Sequence, residues 1–165
     1  MEKITIYTDG ACIGNPGPGG YGVVLVFGDN RKELSGGFKL TTNNRMELMG
    51  AIVGLSALKR KCEVVLYTDS KYVQESITKG RAKRWRNNNW MKSKKSRAKN
   101  PDLWQQLLEL VEKHTVTFEW VPGHAGVKEN ERCDFLAESV AKNSDLPTDE
   151  GYEVNLNNSP NLEIL

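Results

Sequence analysis

Three apolar runs open the chain. In residues 3–8, "KITIYT", Ile4, Ile6 and Thr8 fall on one side, and Thr5, Tyr7 and then Asp9 on the other. That is the period of two of a half-buried strand. "YGVVLVF" at 21–27 and a stretch over roughly 32–40 are further strand candidates. Gly and Pro separate the first two and "GDNR" the next pair, connections short enough to predict an antiparallel meander. The period then changes. From Asn44 to Lys59, "NRMELMGAIVGLSALK" places Leu48, Ile52, Leu55 and Leu58 along one stripe, which predicts a helix. "EVVLYTD" at 63–69 returns to strand and "SKYVQESI" to helix. Asn100-Pro101 has the form of an N-cap followed by Pro at the first helical position, opening "DLWQQLLELVEKH". "TVTFEWV" at 115–121 is a fifth strand and 127–142 a last helix. The strand–helix–strand path from 4 to 69 is a crossover, so strands one and four are expected to be parallel with a right-handed connection. The expectation is an α/β fold with a mixed sheet and helices on both faces, forming one domain over 1–143.

Charge sharpens this picture more than composition does. With 38% hydrophobic and 27% charged residues, the 165-residue chain has the make-up of a soluble globular domain. It has no apolar stretch near the ~18 residues of a membrane span. "MEKITIY" enters a strand at once and lacks the layout of a signal peptide. Cys12, Cys62 and Cys133 are odd in number and widely spaced, which fits free thiols in a cytoplasmic protein. The net charge of +2 conceals a division. Residues 79–99, "KGRAKRWRNNNWMKSKKSRAK", hold ten Lys or Arg and no acid, leaving 13 bases against 21 acids elsewhere. A basic segment interleaved with Trp85 and Trp90 points to a polyanion, nucleic acid above all. The plainer reading is a solvated charged face. From Ser144 the chain has five acids, no base, two Pro and four Asn, and this tail, 144–165, is expected to be poorly ordered.

Two strands end alike: "ITIYTDG" at 4–10 and "VVLYTDS" at 64–70. As parallel neighbours they would bring Asp9 and Asp69 to one sheet edge, about 5 Å apart. That edge, beyond the carboxyl ends of the parallel strands, is where open α/β sheets place their sites. Two adjacent carboxylates need a proton or a cation between them. Taken singly, Asp69 could cap a helix and Asp9-Gly10 could be a turn. The Gly- and Pro-rich "ACIGNPGPGGYG" that follows reads as loop rather than strand, which weakens the hairpin. Glu47 lies in the first turn of the crossover helix. It also stands three residues after Asn44, a capping-box spacing. Asp134 borders the stripe of Leu136, Ala137, Val140 and Ala141, an unusual place for an unpaired carboxylate. Four carboxylates without a Cys or His cluster suit a hard cation, Mg²⁺ or Mn²⁺. Two such ions roughly 4 Å apart would form a phosphoryl-transfer clamp.

"YTDG", "GNPGPGGYG", "TTNNRMELM", "YTDS", "WVPGHAG" and "NERCD" stand in the order and spacing of bacterial type I ribonuclease H, and the chain resembles that family over about 2–153. The resemblance implies a ribonuclease H-like sheet of order 3-2-1-4-5 with a basic helical protrusion at about 79–99. It implies an Mg²⁺-dependent endonuclease, acting as a monomer, that hydrolyses the RNA strand of RNA–DNA hybrids and so removes RNA primers. Asp9, Glu47, Asp69 and Asp134 match the family's metal-binding carboxylates, and His124 its mobile-loop histidine. Flanked by Gly123 and by Ala125-Gly126, His124 sits on a loop free to move, and a histidine exchanges protons near neutral pH. His114 is expected to be an ordinary structural histidine. The resemblance assigns the RNA 2′-hydroxyls to Asn15 and the turn around Cys12, with Asn43 and Asn44. The DNA strand falls to a phosphate pocket including Thr42 and Asn100, and to the basic segment with Trp85.

Four positions depart from the family pattern. Lys71 replaces a Gln that follows the second Asp-Ser, which would exchange a groove hydrogen bond for a phosphate contact. Leu40 stands where a basic residue often precedes the Thr-Thr pair, and Pro122 where a Lys is common. A Trp early in the basic segment is missing near Gly80-Arg81. A hybrid-binding module without catalysis and a DNA-acting nuclease of the same fold are the alternative functions.

Overall fold

A computed structural model describes residues 1–157. The elements run β1 (Glu2–Cys12), β2 (Gly17–Phe27), β3 (Asn30–Thr41), α1 (Asn43–Ser56), β4 (Cys62–Thr68), α2 (Lys71–Thr78), α3 (Arg81–Asn87), α4 (Pro101–Lys113), β5 (Thr115–Trp120), α5 (Lys128–Ala141) and α6 (Glu150–Asn157). The sheet has five strands in the order β3-β2-β1-β4-β5. The β1–β2 and β2–β3 pairs are antiparallel. The β1–β4 and β4–β5 pairs are parallel, as the crossover requires.

Alternation along β1 decides what each face meets. Ile4 and Ile6 join Val23, Leu25, Leu48, Ile52, Leu55, Leu66, Trp104 and Leu107 in the main core, between the sheet and α1 and α4. On the other face α5 packs across β1 and β2. There Tyr7 and Tyr67 stack at 5.2 Å, and the Cys133 thiol donates to Tyr7 O at 3.2 Å. All three cysteines are free. Among the described residues no helix is long and apolar enough to cross a membrane.

The structure changes several expectations. β1 does not stop at Asp9. It runs on to Cys12, pairing Ala11 with Gly20 and Cys12 with Gly19, and the Gly- and Pro-rich segment becomes β2 from Gly17. Glycine serves here because α5 passes so close that a Cβ on Gly20 or Gly22 would strike the backbone carbonyl of Ala137 or Cys133. The cap of α1 is Thr42, whose Oγ1 accepts the Arg45 N–H at 3.2 Å, so the Asn44–Glu47 capping box does not form. Ser70, rather than Asp69, caps α2. Pro101 does open α4, but Asn100 adopts φ 60° and makes no side-chain cap bond. The expectation of a poorly ordered tail from Ser144 fails over its first part. Lys39 N–H donates to Pro147 O at 2.9 Å, Asp149 is buried, and α6 follows. The fold therefore extends past 143, and the rest of the tail, 158–165, lies outside the described residues.

Candidate active site

The offset of 60 that pairs Ile6 with Leu66 and Tyr7 with Tyr67 leads directly to Asp9 and Asp69. Parallel register thus delivers both carboxylates to the same edge. Glu47 arrives from the first turns of α1, whose start lies close over β1: a Cβ on Gly10 would sit 2.5 Å from Glu47 N. Carboxylate oxygens of Asp9, Glu47 and Asp69 lie within 4.8 Å of one another. Asp9 and Glu47 are buried and Asp69 is half-buried.

Three negative groups so close cannot all ionise without help. Burial pushes Asp9 up to about 9, reinforced by the Asp69 charge and by hydrogen bonding with Asp134 and Asp69. Burial likewise raises Glu47 well above the usual carboxylate range, followed by the charges of Asp9 and Asp69. Asp134, half-buried on α5, joins the group through Asp9. Glu47 Oε1 and Asp69 Oδ1 are buried with no hydrogen-bond partner. Orphaned acceptors at the centre of an oxygen-only cluster fit a hard divalent cation, which would satisfy both charge and coordination.

Around the cluster, Trp120 donates its indole N–H to Asp69 O at 3.0 Å, and Lys71 Nζ lies 4.3 Å from the centre of that ring. His124 is exposed at φ 57° on a loop that passes close to the cluster: a Cβ on Gly123 would sit 2.9 Å from Asp69 Oδ2. Asn15 is exposed, and its Oδ1 accepts the Asn43 N–H at 3.1 Å, tying the Gly-rich turn to the start of α1. Cys12 faces Gly17 O and Thr41 O at 3.4 and 3.5 Å, and Asn44 is exposed. Trp85 is half-buried against Trp104, at 6.0 Å, and walls a cleft with Arg81, Arg84, Asn88, Met91 and Lys92. Residues 1–142 match the family model for RNase H. The chain belongs to the RNase H family.

The similarity extends to whole proteins. The chain is 63% identical over 149 residues to a Ribonuclease H of Desulforamulus reducens, covering 90% of this chain and 94% of that protein. It is 59% identical over 152 residues to a Ribonuclease H of Syntrophus aciditrophicus, covering 92% and 88%. Among solved structures it resembles LC9-RNase H1, described as a type 1 RNase H with the type 2 active-site motif. That match has a TM-score of 0.76 and 32% identity, and covers 85% of this chain and 72% of that one. Sequence reasoning on this RNase H chain overlooked Arg45, Tyr72, Trp120 and Asp149. For Arg45 a signal existed: it precedes Leu48, Ile52 and Leu55 on the same helical stripe, so a buried charge with partners was implied.

Proposed function

We propose that this protein is an endonuclease that hydrolyses the RNA strand of RNA–DNA hybrids with Mg²⁺, Mn²⁺ serving in its place. The carrying observation is the carboxylate cluster with its two orphaned oxygens. Asp9, Glu47, Asp69 and Asp134 would hold two divalent cations. Such ions, when bound, supply Lewis acidity to the attacking water and to the leaving oxygen. The chain's own residues do the rest. The cluster's burial on one side fixes the direction from which a phosphodiester can approach. His124 would pass a proton near the leaving oxygen or help release product, a role that its exposure on a glycine-flanked loop supports. Asn15, Asn43 and Asn44, with the backbone around Cys12, face the RNA strand, since amides both donate to and accept from a 2′-hydroxyl. Thr42 and Asn100 take a phosphate of the DNA strand, with Lys71, Trp85 and the basic segment alongside. The site is complete within one chain, and the free thiols agree with a cytoplasmic protein.

One labelled strand presented as RNA–DNA hybrid, duplex RNA, duplex DNA and single-stranded RNA tests this reading. Cleavage is expected only in the hybrid and only with divalent metal. Duplex DNA cut as readily, or turnover persisting in excess chelator, would refute it. Asp9→Asn should abolish cleavage while hybrid binding stays near normal, and full activity in that variant would remove the mechanism.

A further inference from the structure

Asp149 falls beyond the expected domain, yet it is buried and bonded from three sides. Thr41 Oγ1 donates to its Oδ2 at 2.7 Å, Tyr152 N–H donates to its Oδ1 at 3.2 Å, and Arg45 donates to both oxygens. Arg45, with a side chain only 1% exposed, commits its guanidinium fully. Nε and Nη2 donate to Asp149 at 2.8 and 3.0 Å. Nη1 and Nη2 donate to Asp102 at 2.9 and 2.7 Å, and Nη1 donates also to Asn100 Oδ1 at 3.3 Å. A guanidinium offers five N–H groups and no acceptor.

That asymmetry orients Asn100. Only an oxygen can face Arg45, so the amide is held with its oxygen inward and its nitrogen turned away. One N–H of that nitrogen donates to the Tyr72 hydroxyl at 3.1 Å, and the second remains to be given. Thr42 is left in a similar condition: its hydroxyl oxygen accepts the Arg45 N–H, leaving the hydroxyl hydrogen to donate. Two residues bonded to Arg45, one through its backbone and one through its side chain, thus each keep a donor to give: Asn100 an amide N–H, and Thr42 its hydroxyl hydrogen. Two neighbouring donors suit an anionic oxygen.

We propose that Asp149 and the segment around it act on substrate binding: by holding Arg45 they fix the Asn100 amide with its N–H outward, and so set affinity for a phosphate of the bound strand. Asp149 is a positioning residue here, and the inference rests on the proposed hybrid substrate. The closing segment is no loose appendage in this respect, because Gly151 lies against Asp102 and Arg45 so tightly that a Cβ there would meet both.

Hybrid binding measured by fluorescence anisotropy in chelator, without turnover, tests the inference separately from the proposed activity. Asp149→Asn places an amide nitrogen among donors, and should weaken binding roughly tenfold, a single charge-assisted hydrogen bond's worth. With metal restored, KM should rise while kcat changes little. Thr41→Val loosens Asp149 without altering any charge, and should follow with a loss of about two- to fivefold. In the Asn100→Ala background Asp149→Asn should cost nothing further, since both changes remove one device. Binding within twofold of the parent in Asp149→Asn and Thr41→Val, or losses that simply add in the double variant, would overturn the inference. Failure of the parent to cleave hybrid would instead overturn the proposed function.

Discussion

Asp9 and Glu47 are held where ionisation is costly. Asp9 rises from an ordinary 3.8 to about 9, and Glu47 rises in the same direction, both mainly through burial. Between those limits the folded, metal-free protein binds protons that the unfolded chain has already released. The contribution of these two acids to stability must then fall as pH rises from about 4 to 9, and His114, held below its ordinary 6.5 mainly by burial, opposes it only over a narrower span. In chelator, urea unfolding should show the protein less stable at pH 8 than at pH 5. Asp9→Asn removes one of the two contributors and should raise metal-free stability at pH 8 by roughly 2 kcal/mol, with little change at pH 5. Mg²⁺ should stabilise the parent and hardly affect the variant. A metal-free parent whose stability climbs steadily from pH 5 to 8 would contradict the burial of these acids. That Asp9 and Asp69 meet at one edge was legible in the sequence, because two Tyr-Thr-Asp endings on parallel neighbours constrain position strongly, and Glu47 was readable as a first-turn residue of the crossover helix, whereas Asp134 was carried mainly by the resemblance. The helical stripe implied a buried Arg45 but not its partner, because Asp149 stands 104 residues away and lies on no repeated motif.

At the scale of elements, the site depends on how closely backbones approach. α1 delivers Glu47 only because Gly10 leaves room for it: an added Cβ would sit 2.5 Å from Glu47 N and 2.7 Å from the Met46 carbonyl carbon. Those atoms are backbone and cannot swing aside. Gly10→Ala should therefore move the start of α1, costing about 1–3 kcal/mol by overpacking and a larger share of activity. Gly22→Ala does the same to α5, pushing Cys133 and with it Asp134 off β2. Both variants are expected to fold, with cleavage reduced more than the shift in unfolding midpoint explains. Unchanged turnover in both would mean the carboxylates tolerate displacement. Periodicity gave the five strands, the parallel β1–β4 pair and the helices α1, α2, α4 and α5, whereas the full strand order came with the family resemblance and α6 was not expected. The extension of β1 to Cys12 and the start of β2 at Gly17 did not, because glycines that read as loop were chosen for a helix passing overhead. The cap of α1 was misplaced by two residues for a related reason. Thr42 and Asn44 both suit an N-cap, and it is Thr42 that is extended and accepts the Arg45 backbone N–H, while Asn44 already lies inside the helix.

At the scale of the whole molecule, charge is divided as the proposed substrate requires. The acidic cluster sits at the sheet edge, while ten of the 23 bases crowd residues 79–99. Much of that stretch folds as α3 and an irregular loop closed by a Met91–Arg97 bridge. Some of its charge is already committed: Arg86 pairs with Glu112 at 2.9 Å, and Arg81 faces Glu75 at 3.5 Å. Lys94, Lys95 and Arg97 lie on the exposed loop. A cation that neutralises a duplex phosphate releases a counterion, and each such contact steepens the fall of log K with log salt by about 0.9 for B-DNA. Replacing Lys94, Lys95 and Arg97 with Gln should therefore flatten the salt dependence of hybrid binding by roughly two to three in slope if all three reach phosphates. The change should be largest at low salt and leave kcat at saturating hybrid nearly intact, because the carboxylates lie on other elements. An unchanged slope with weaker binding would mean that the loop acts through its shape, and an unchanged slope with unchanged binding that the hybrid does not extend over it.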